Sequence, residues 1–506
     1  MDQVYERHDV MSDIFIKKKN EVYITVQSEP GIAQELADHF SFDAPGAKFH
    51  PLYRNKVWDG KIRLFSMFTK ELYCGLLSYV EHFAEVNNYK IDYEGYHVEC
   101  DAAPYEVVKE FCDSLNLGSK GKPLLIREYQ VEAVHKAISE ARTLLLSPTG
   151  SGKSLIIYCL IRWHETFGRK QLVLVPTTSL VEQMYSDFQD YSCFNGWKSS
   201  ENCGRIYSGF EKSNEFPVVI STWQSIYQLP KKFFEGFKVI YGDEAHNFKA
   251  KSLTSIMHKC VNTPYRVGTT GTLDGTKTHK LVLEGLFGPV YKVTSTRELM
   301  DANQLAELKI FGIVLDYPDD VKKANKSQTY QEEMDFLVGY EPRNKFIRNL
   351  ALKQTGNSLV LFQYVEKHGK ILHEMINNKD SERKIFFVYG GTDTDQRENI
   401  RRITEDETDA IIVASYGTFS TGINIKNLHN IIFASPTKSR IRNLQSIGRG
   451  LRRGDEKVSC NLYDIGDDLT WKARKNYTLH HMIDRIKIYN DEHFEYKLLK
   501  VPLNVL

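Results

Sequence analysis

Ser147-Pro148-Thr149-Gly150-Ser151-Gly152-Lys153-Ser154 is the stretch that decides how this chain is read. It follows the apolar run Thr143 to Leu146 and opens a helical pattern at Lys153. Strand, glycine-rich loop and helix, in that order, are the setting of a phosphate-binding P-loop. Gly150 and Gly152 let the backbone around Thr149 and Ser151 turn its amides towards phosphate oxygens, and the helix N-terminus adds a positive field. Lys153 is placed to reach the β- and γ-phosphates of a nucleotide, and the Ser154 hydroxyl to ligate Mg²⁺. The strict pattern begins with glycine, where Ser147 stands. An ordinary βα turn with a surface lysine is the competing reading, and the flanking strand and helix weigh against it.

Beyond the loop, short apolar runs alternate with helical patterns. Leu172 to Val175, Pro217 to Ser221 and Lys238 to Tyr241 read as strands. Continuous apolar strands between helices predict a parallel sheet covered on both faces. Asp243-Glu244-Ala245-His246 closes the last run, at the carboxyl end where such sheets hold ligands. Asp243 is placed to hold Mg²⁺ through water, and Glu244 to orient or deprotonate the water that attacks ATP. A solvated helix start would use the same acids, but their pairing with a P-loop favours hydrolysis. After residue 345 the pattern returns. Leu359 to Phe362, Ile385 to Val388, Ala410 to Val413 and Ile431 to Phe433 predict a second parallel sheet.

The chain has 506 residues, room for three domains at about 150 residues each. Its 42% hydrophobic and 26% charged residues can bury several cores, which excludes disorder as the dominant state. Lys and Arg number 66 against 65 Asp and Glu, so a globally basic polyanion binder is excluded. Any nucleic-acid contact must rest on charge arranged locally. Eight scattered cysteines without a CxxC argue against a zinc ribbon or a disulfide framework. No apolar run approaches the roughly 18 residues of a membrane span, and the first residues, MDQVYERHDV, lack a signal core. The expectation is a soluble intracellular protein. Its predicted parts are a small basic α/β module over 1–100, a first lobe over 105–300 and a second lobe over 301–470. A linker or insertion is expected at 301–345, and a tail packing on the motor at 471–506.

Six further segments fit one pattern. They are Arg127-Glu128-Tyr129-Gln130, Val175 to Gln183, Ser221 to Ser225, Gly268 to Thr272, Gly417 to Asn424 and Gln445 to Arg453. In order and spacing, with the P-loop and Asp243 to His246, they resemble a superfamily 2 helicase or translocase over about 120–465. The resemblance implies an α/β fold of two tandem RecA-like parallel-sheet motor lobes, driven by ATP with Mg²⁺. It implies that Arg127 stacks on adenine, that Gln130 hydrogen-bonds it, and that Gly422 belongs to the second lobe's nucleotide contact. Arg449 and Arg452 would act as arginine fingers, and Gln445 would meet the γ-phosphate or His246, the link between nucleotide and second lobe. Strand contacts would come from Thr177, Thr178, Thr222, Gln224 and Thr418, whose hydroxyls and amides suit phosphates without reading bases. The arginines also stand on their own physics. Ser439 to Arg453 holds five arginines and no acid. A helix puts Arg449 and Arg452 on one face, and guanidinium forks suit phosphate oxygens. A solvated basic helix is the competing reading.

The first segment is basic and aromatic between Ser41 and Lys70, with six Lys or Arg and two Asp. Val57 to Phe65 reads as a hairpin turning at Asp59-Gly60. Lys61 and Arg63 would face one way and Ile62 and Leu64 the other, beside Trp58. Duplex or branch-point binding is the functional reading, and a solvated sheet face the structural one. A basic module ahead of two such lobes resembles the phage recombination and repair branch of the superfamily, near its XPB-like and restriction-translocase members. That resemblance implies an ATP-dependent DNA helicase that unwinds or branch-migrates Holliday junctions, forks and D-loops, and removes RNA–DNA hybrids. It implies a monomer in the host cytoplasm, bound to branched double-stranded and single-stranded DNA rather than membrane, alongside phage recombination and single-strand-binding proteins. A DEAH-type RNA helicase and an ATP-dependent nucleoprotein remodeller are the rival readings.

Overall fold

The computed structural model describes residues 12–44, 46–94, 100–248, 250–377, 383–422, 427–437, 439–451 and 459–503. The chain divides into two compact units. One holds the residues up to Leu146 together with Gly152–Val293; the other holds Ser147–Ser151 together with Thr294 onwards.

The first unit opens with a small mixed sheet. β1 (Ile14–Lys18) and β2 (Tyr23–Ser28) are antiparallel, and the Asn20 side chain closes their turn by accepting the N–H groups of Val22 and Tyr23. After them come β3 (Ser41–Asp43), β4 (Lys61–Arg63), β5 (Glu71–Tyr73) and β6 (Ile91–Glu94). The sheet order is β5-β2-β1-β6. Period-two alternation buries Ile14, Ile16, Ile24 and Val26 against Leu36, Val80 and Phe83 of the helices Pro30–His39 and Leu77–Asn87.

The basic stretch differs from the expected hairpin. β4 pairs antiparallel with β3, not with Val57-Trp58. Pro51 starts a short helix, Pro51–Arg54, and the His50 ring caps it through the N–H of Leu52. The chain therefore turns through Asp59-Gly60 out of a helical segment. Gly60 has φ +79°, and a Cβ there would lie 2.8 Å from the Tyr53 ring. The expected alternation survives: Lys61 and Arg63 are exposed, while Ile62 and Leu64 are half-buried.

A short pair, β7 (Gly118–Ser119) and β8 (Lys122–Pro123), precedes the first large sheet. That sheet uses β9 (Arg142–Leu146), β10 (Gln171–Val175), β11 (Cys203–Ile206), β12 (Val218–Thr222), β13 (Val239–Asp243), β14 (Tyr265–Thr270) and β15 (Val290–Lys292). Its order is β11-β12-β10-β13-β14-β9-β15, with every neighbouring pair parallel. β10, β12, β13 and β14 are buried along their whole length, because helices cover both faces.

The second unit repeats the plan with β16 (Glu307–Asp316), β17 (Ser358–Phe362), β18 (Ile385–Val388), β19 (Ile411–Ser415), β20 (Asn430–Phe433), β21 (Ser459–Asp468) and β22 (Tyr496–Pro502). Its order is β18-β19-β17-β20-β21-β16-β22, again all parallel. Residues 301–345 are not a linker. They supply β16, the helices Asp319–Ala324 and Tyr330–Gly339, and the start of Glu341–Lys353. β16 opens on the exposed Glu307 and Lys309 and then carries the apolar run Ile310–Leu315. After residue 470 come the helix Tyr477–Asp491 and the edge strand β22.

Two buried ion pairs tie this unit together. Arg343 meets Asp467 at 2.8 Å and donates to the Ala434 carbonyl; Tyr317 also donates to Asp467. Arg485, on the helix after residue 470, meets Asp464 at 2.7 Å and donates to the Thr437 carbonyl. All four charged side chains are at most 1% exposed. Breaking such a pair strands a buried charge, at a cost of about 3–5 kcal/mol. Arg485→Met should therefore lower stability in denaturant unfolding by about that amount, and adding Asp464→Leu should recover most of it.

Candidate active site

The P-loop runs from the end of β9 to the helix Lys153–Glu165, as the sequence predicts. Gly150 and Gly152 have φ +89° and +83°, the left-handed region that favours glycine. Ser147, in place of the usual first glycine, is fully buried. Its hydroxyl lies 2.5 Å from that of Ser151, which donates to the Pro148 carbonyl at 2.7 Å. The departure from the strict pattern is thus a hydroxyl pair across the base of the loop. Thr149 is half-buried beside it.

The Gln130 amide lies beside the loop. It belongs to the first turn of the helix Glu128–Glu140 and is 3% exposed. Its Oε1 accepts the N–H of Arg127 at 2.9 Å, and its Nε2 stands where a Cβ on Gly152 would lie 2.4 Å away. Arg127 is exposed, its guanidinium donating to the Tyr129 hydroxyl at 2.9 Å. Ser154 shares a 2.8 Å hydrogen bond with the Tyr191 hydroxyl, a partner 37 residues away in sequence and invisible to motif reading.

The acidic pair sits at the carboxyl end of β13. Asp243 is 8% exposed and accepts a hydrogen bond from Thr269 of neighbouring β14 at 2.8 Å. Burial, then the adjacent Glu244, pushes its carboxyl above the ordinary carboxylate range, while Lys153 and Thr269 oppose the shift. A carboxylate so placed beside a hydroxyl and a lysine fits a hard divalent cation and phosphate, with Asp243 and Ser154 as oxygen donors. Glu244 has φ +50°, a left-handed conformation unusual outside glycine and asparagine. It aims the carboxylate away from the sheet, 3.3 Å from His246 Nδ1. His246 also shares a 3.0 Å hydrogen bond with Thr270. His279 is a further contact that sequence reading missed, binding the His246 carbonyl at 3.0 Å.

The predicted strand-contact residues lie at the carboxyl ends of β10 and β12, where Val175 pairs with Thr222. Thr177 caps the helix Thr178–Tyr191, its hydroxyl accepting from Leu180 N–H at 3.3 Å, and Thr178 is exposed. Thr222 is buried and its hydroxyl pairs with Ser225 at 2.8 Å. Gln224 is exposed and reaches the Pro176 carbonyl at 3.4 Å, linking the two segments. In the amino-terminal module Trp58 is half-buried, its indole N–H bonded to the Lys61 carbonyl at 2.9 Å. Arg63 forks onto the Asp59 carboxylate, so it is partly neutralised, and Lys61 is exposed.

In the second unit Thr418 is buried with its hydroxyl 2.8 Å from Ser415. Gly422 ends the helix Tyr416–Gly422. Gln445 is half-buried on the helix Arg440–Gly450, which also carries Arg449. The Arg449 side chain and all of Arg452 lie outside the described residues.

A seven-stranded parallel sheet with a P-loop, an Asp-Glu-Ala-His turn and a second sheet of the same plan defines the superfamily 2 helicases, motors that hydrolyse ATP. Three family models match: "Type III restriction enzyme, res subunit" over 124–275, "DNA helicase UvsW, N-terminal" over 13–94, and "Helicase conserved C-terminal domain" over 342–454. The ATP-dependent DNA helicase uvsW of Enterobacteria phage T4 is 36% identical over 95% of this chain and 98% of its own length. The chain belongs to that helicase's family. A crystal structure of T4 UvsW superposes with a TM-score of 0.52, covering 97% of this chain and 100% of that one at 34% identity. The DNA 3'-5' translocase XPB2 of Sulfurisphaera tokodaii is 27% identical over 70% of this chain and 84% of its own. A putative HsdR fragment from Vibrio vulnificus YJ016 shares the fold, with a TM-score of 0.56 at 17% identity over 85% of this chain and 83% of that one.

Gly152→Ala tests the loop geometry. The methyl would meet Gln130 and sit at a φ that L-residues avoid, which costs about 1–2 kcal/mol before any clash. ATP affinity should fall about tenfold or more, read by nucleotide titration.

Proposed function

We propose that the chain is an ATP-dependent DNA helicase that acts at branched DNA, on forks, Holliday junctions, D-loops and R-loops. The observation that carries this reading is the exposed β3–β4 ladder with Lys61 and Arg63, built into the same unit as the Asp243-Glu244 pair. The relative's name supports DNA as the track. Lys153 and the loop amides would hold the β- and γ-phosphates, and Ser154 and Asp243 would hold Mg²⁺, which neutralises phosphate charge when bound. Glu244 would orient and deprotonate the attacking water. Arg127 and Gln130 would receive the adenine. In the second unit Gln445, Arg449 and Arg452 would answer to the γ-phosphate, and Gly422 to the nucleotide. Thr177, Thr178, Thr222, Gln224 and Thr418 would hold the strand, with Trp58 bracing the basic ladder. No helix among the described residues is long and apolar enough to cross a membrane. By its likeness to the phage relative, the chain would act as a monomer in the host cytoplasm beside phage recombination and single-strand-binding proteins.

An unwinding assay on a panel of forks, junctions, R-loops and structured RNA tests the substrate. Branched DNA should be unwound fastest; ATP hydrolysis stimulated by RNA alone would end the DNA reading. Lys153→Ala should cut ATP turnover about a hundredfold or more. Glu244→Gln should bind ATP normally while hydrolysing it at least about a hundredfold more slowly, and near-normal turnover would remove Glu244 from its role. Replacing Lys61 and Arg63 by Ala should weaken fork binding and lower the log–log salt slope by about one to two. The lower end applies if Asp59 already neutralises Arg63. An unchanged affinity and slope would show that the module is not the docking surface.

A further inference from the structure

We propose that the helix Lys277–Phe287 carries DNA engagement of the amino-terminal module to the catalytic acids, with His279 as the positioning residue that meets the turn bearing them. The inference rests on the reading of the module as a DNA-docking element and extends it.

This eleven-residue helix touches both parties directly. At its first residue, the Lys277 ammonium lies over the Phe42 ring, 5.4 Å from the centroid. Phe42 is on β3, opposite Ile62, between the two basic residues of β4. Along its middle, Leu281 is 2% exposed inside the module's own hydrophobic core. The Tyr79 hydroxyl donates to Glu284 at 2.6 Å. Gly75 stands so close that a Cβ would lie 2.0 Å from the Glu284 carbonyl oxygen. Leu283, Leu286 and Phe287 meanwhile belong to the core beneath the large sheet.

The same helix touches the backbone on either side of the acids. The His279 Nε2–H donates to the His246 carbonyl at 3.0 Å, and its Nδ1 faces the Asp274 carboxylate at 3.0 Å. At the other end Phe287 packs on the backbone of Gly242, where a Cβ would lie 2.6 Å from its ring, one residue before Asp243. A close-packed interior does not absorb displacement by compressing. Movement of the β3–β4 ladder on DNA therefore shifts Lys277 and Leu281, and His279 shifts with them. The His246 carbonyl is two residues from Glu244, whose φ of +50° is held by its surroundings rather than by its own preference. A small change in what pulls on that carbonyl re-aims the Glu244 carboxylate.

The test compares ATP turnover by the full chain on forked DNA and on a single strand of equal length. The proteins are the wild type, Tyr79→Phe, His279→Ala, the double variant and His279→Gln. Tyr79→Phe should keep turnover on the single strand and lose about threefold to tenfold of the extra response to the fork. His279→Ala should lose the same fork response through kcat, with KM for ATP unmoved. His279→Gln, which keeps a donor near the Nε2 position, should restore it. The double variant should lose no more than the worse single one, as a shared route requires. Multiplicative losses, a retained fork response in Tyr79→Phe, or failure of Gln to rescue would overturn the coupling. Those outcomes differ from failure of the underlying reading, in which the wild type itself does not prefer the fork or keeps its preference after Lys61 and Arg63 are replaced; that result would overturn both. Melting curves on each variant identify any that fail to fold, and Tyr79→Phe, which removes a single half-buried hydroxyl, then decides the matter alone.

Discussion

Asp243 stands 8% exposed at the end of β13 with Glu244 as its neighbour. An acid at that depth loses hydration and is repelled by its half-buried neighbour, so it needs compensation. The sheet order provides it. β14 on one side contributes the Thr269 hydroxyl, and β9, next in the order, delivers the chain into the P-loop and Lys153. The strand sequence β13-β14-β9 is thus an electrostatic requirement as well as a packing one. A helix inserted between those strands would leave the carboxylate without its hydroxyl. The left-handed Glu244 follows from the same crowding, because it turns the second carboxylate out of the sheet towards His246.

The amino-terminal module is fused to the first motor sheet rather than tethered to it. Tyr73 stacks on Tyr23 and on His258, with its hydroxyl 3.0 Å from the His258 ring nitrogen. Arg142, the first residue of β9, donates to both the carbonyl and the carboxylate of Glu21. The Glu21 N–H in turn bonds the Val261 carbonyl at 3.0 Å. Arg266 lies fully buried on β14, bonded to the carbonyls of Cys260 and Thr263, and burial and then Arg142 lower its pKa to about 10. These contacts join module and sheet through buried polar groups with specific partners, so the two share one frame. The proposed route from module to catalytic strand ends therefore needs no hinge.

Legibility tracked the physical source of each signal. The P-loop helix begins at Lys153 as predicted, because glycine, lysine and strand context are all local. Ile385–Val388 is legible to the residue because all four of its residues are apolar, although the strand is a half-buried edge of its sheet. β21 is not legible this way, because polar residues recur along it; β16 does carry an apolar run, Ile310–Leu315, but opens on two charged residues and stands at the head of an irregular, charged stretch. Phe42 as the ladder partner of Ile62 was beyond reach, since twenty residues and a capped helix separate them. Tyr191, Thr269 and His279 entered the site for the same reason: each is brought there by sheet order, which no short spacing encodes. Several predicted contacts turned out to have internal partners as well. Thr177 caps a helix and Thr222 pairs with Ser225, so a hydroxyl in a motif can serve the fold and still lie beside a ligand.

The formal charge of +1 bears on how such a protein would hold DNA. A near-neutral chain has little long-range steering field, so capture depends on short-range contacts. Of the basic residues in the module, Arg63 is already engaged by Asp59, and Lys17 and Lys19 pair with Glu94 and Glu71. The exposed Thr178 and Gln224 are neutral donors at the strand ends. Neutral donors hold phosphates without releasing counterions, so they add affinity but little salt dependence. On the proposed reading, these hydroxyls and amides would be contacts that can be made and broken at each step. The even charge balance is therefore compatible with a nucleic-acid motor whose contacts are local.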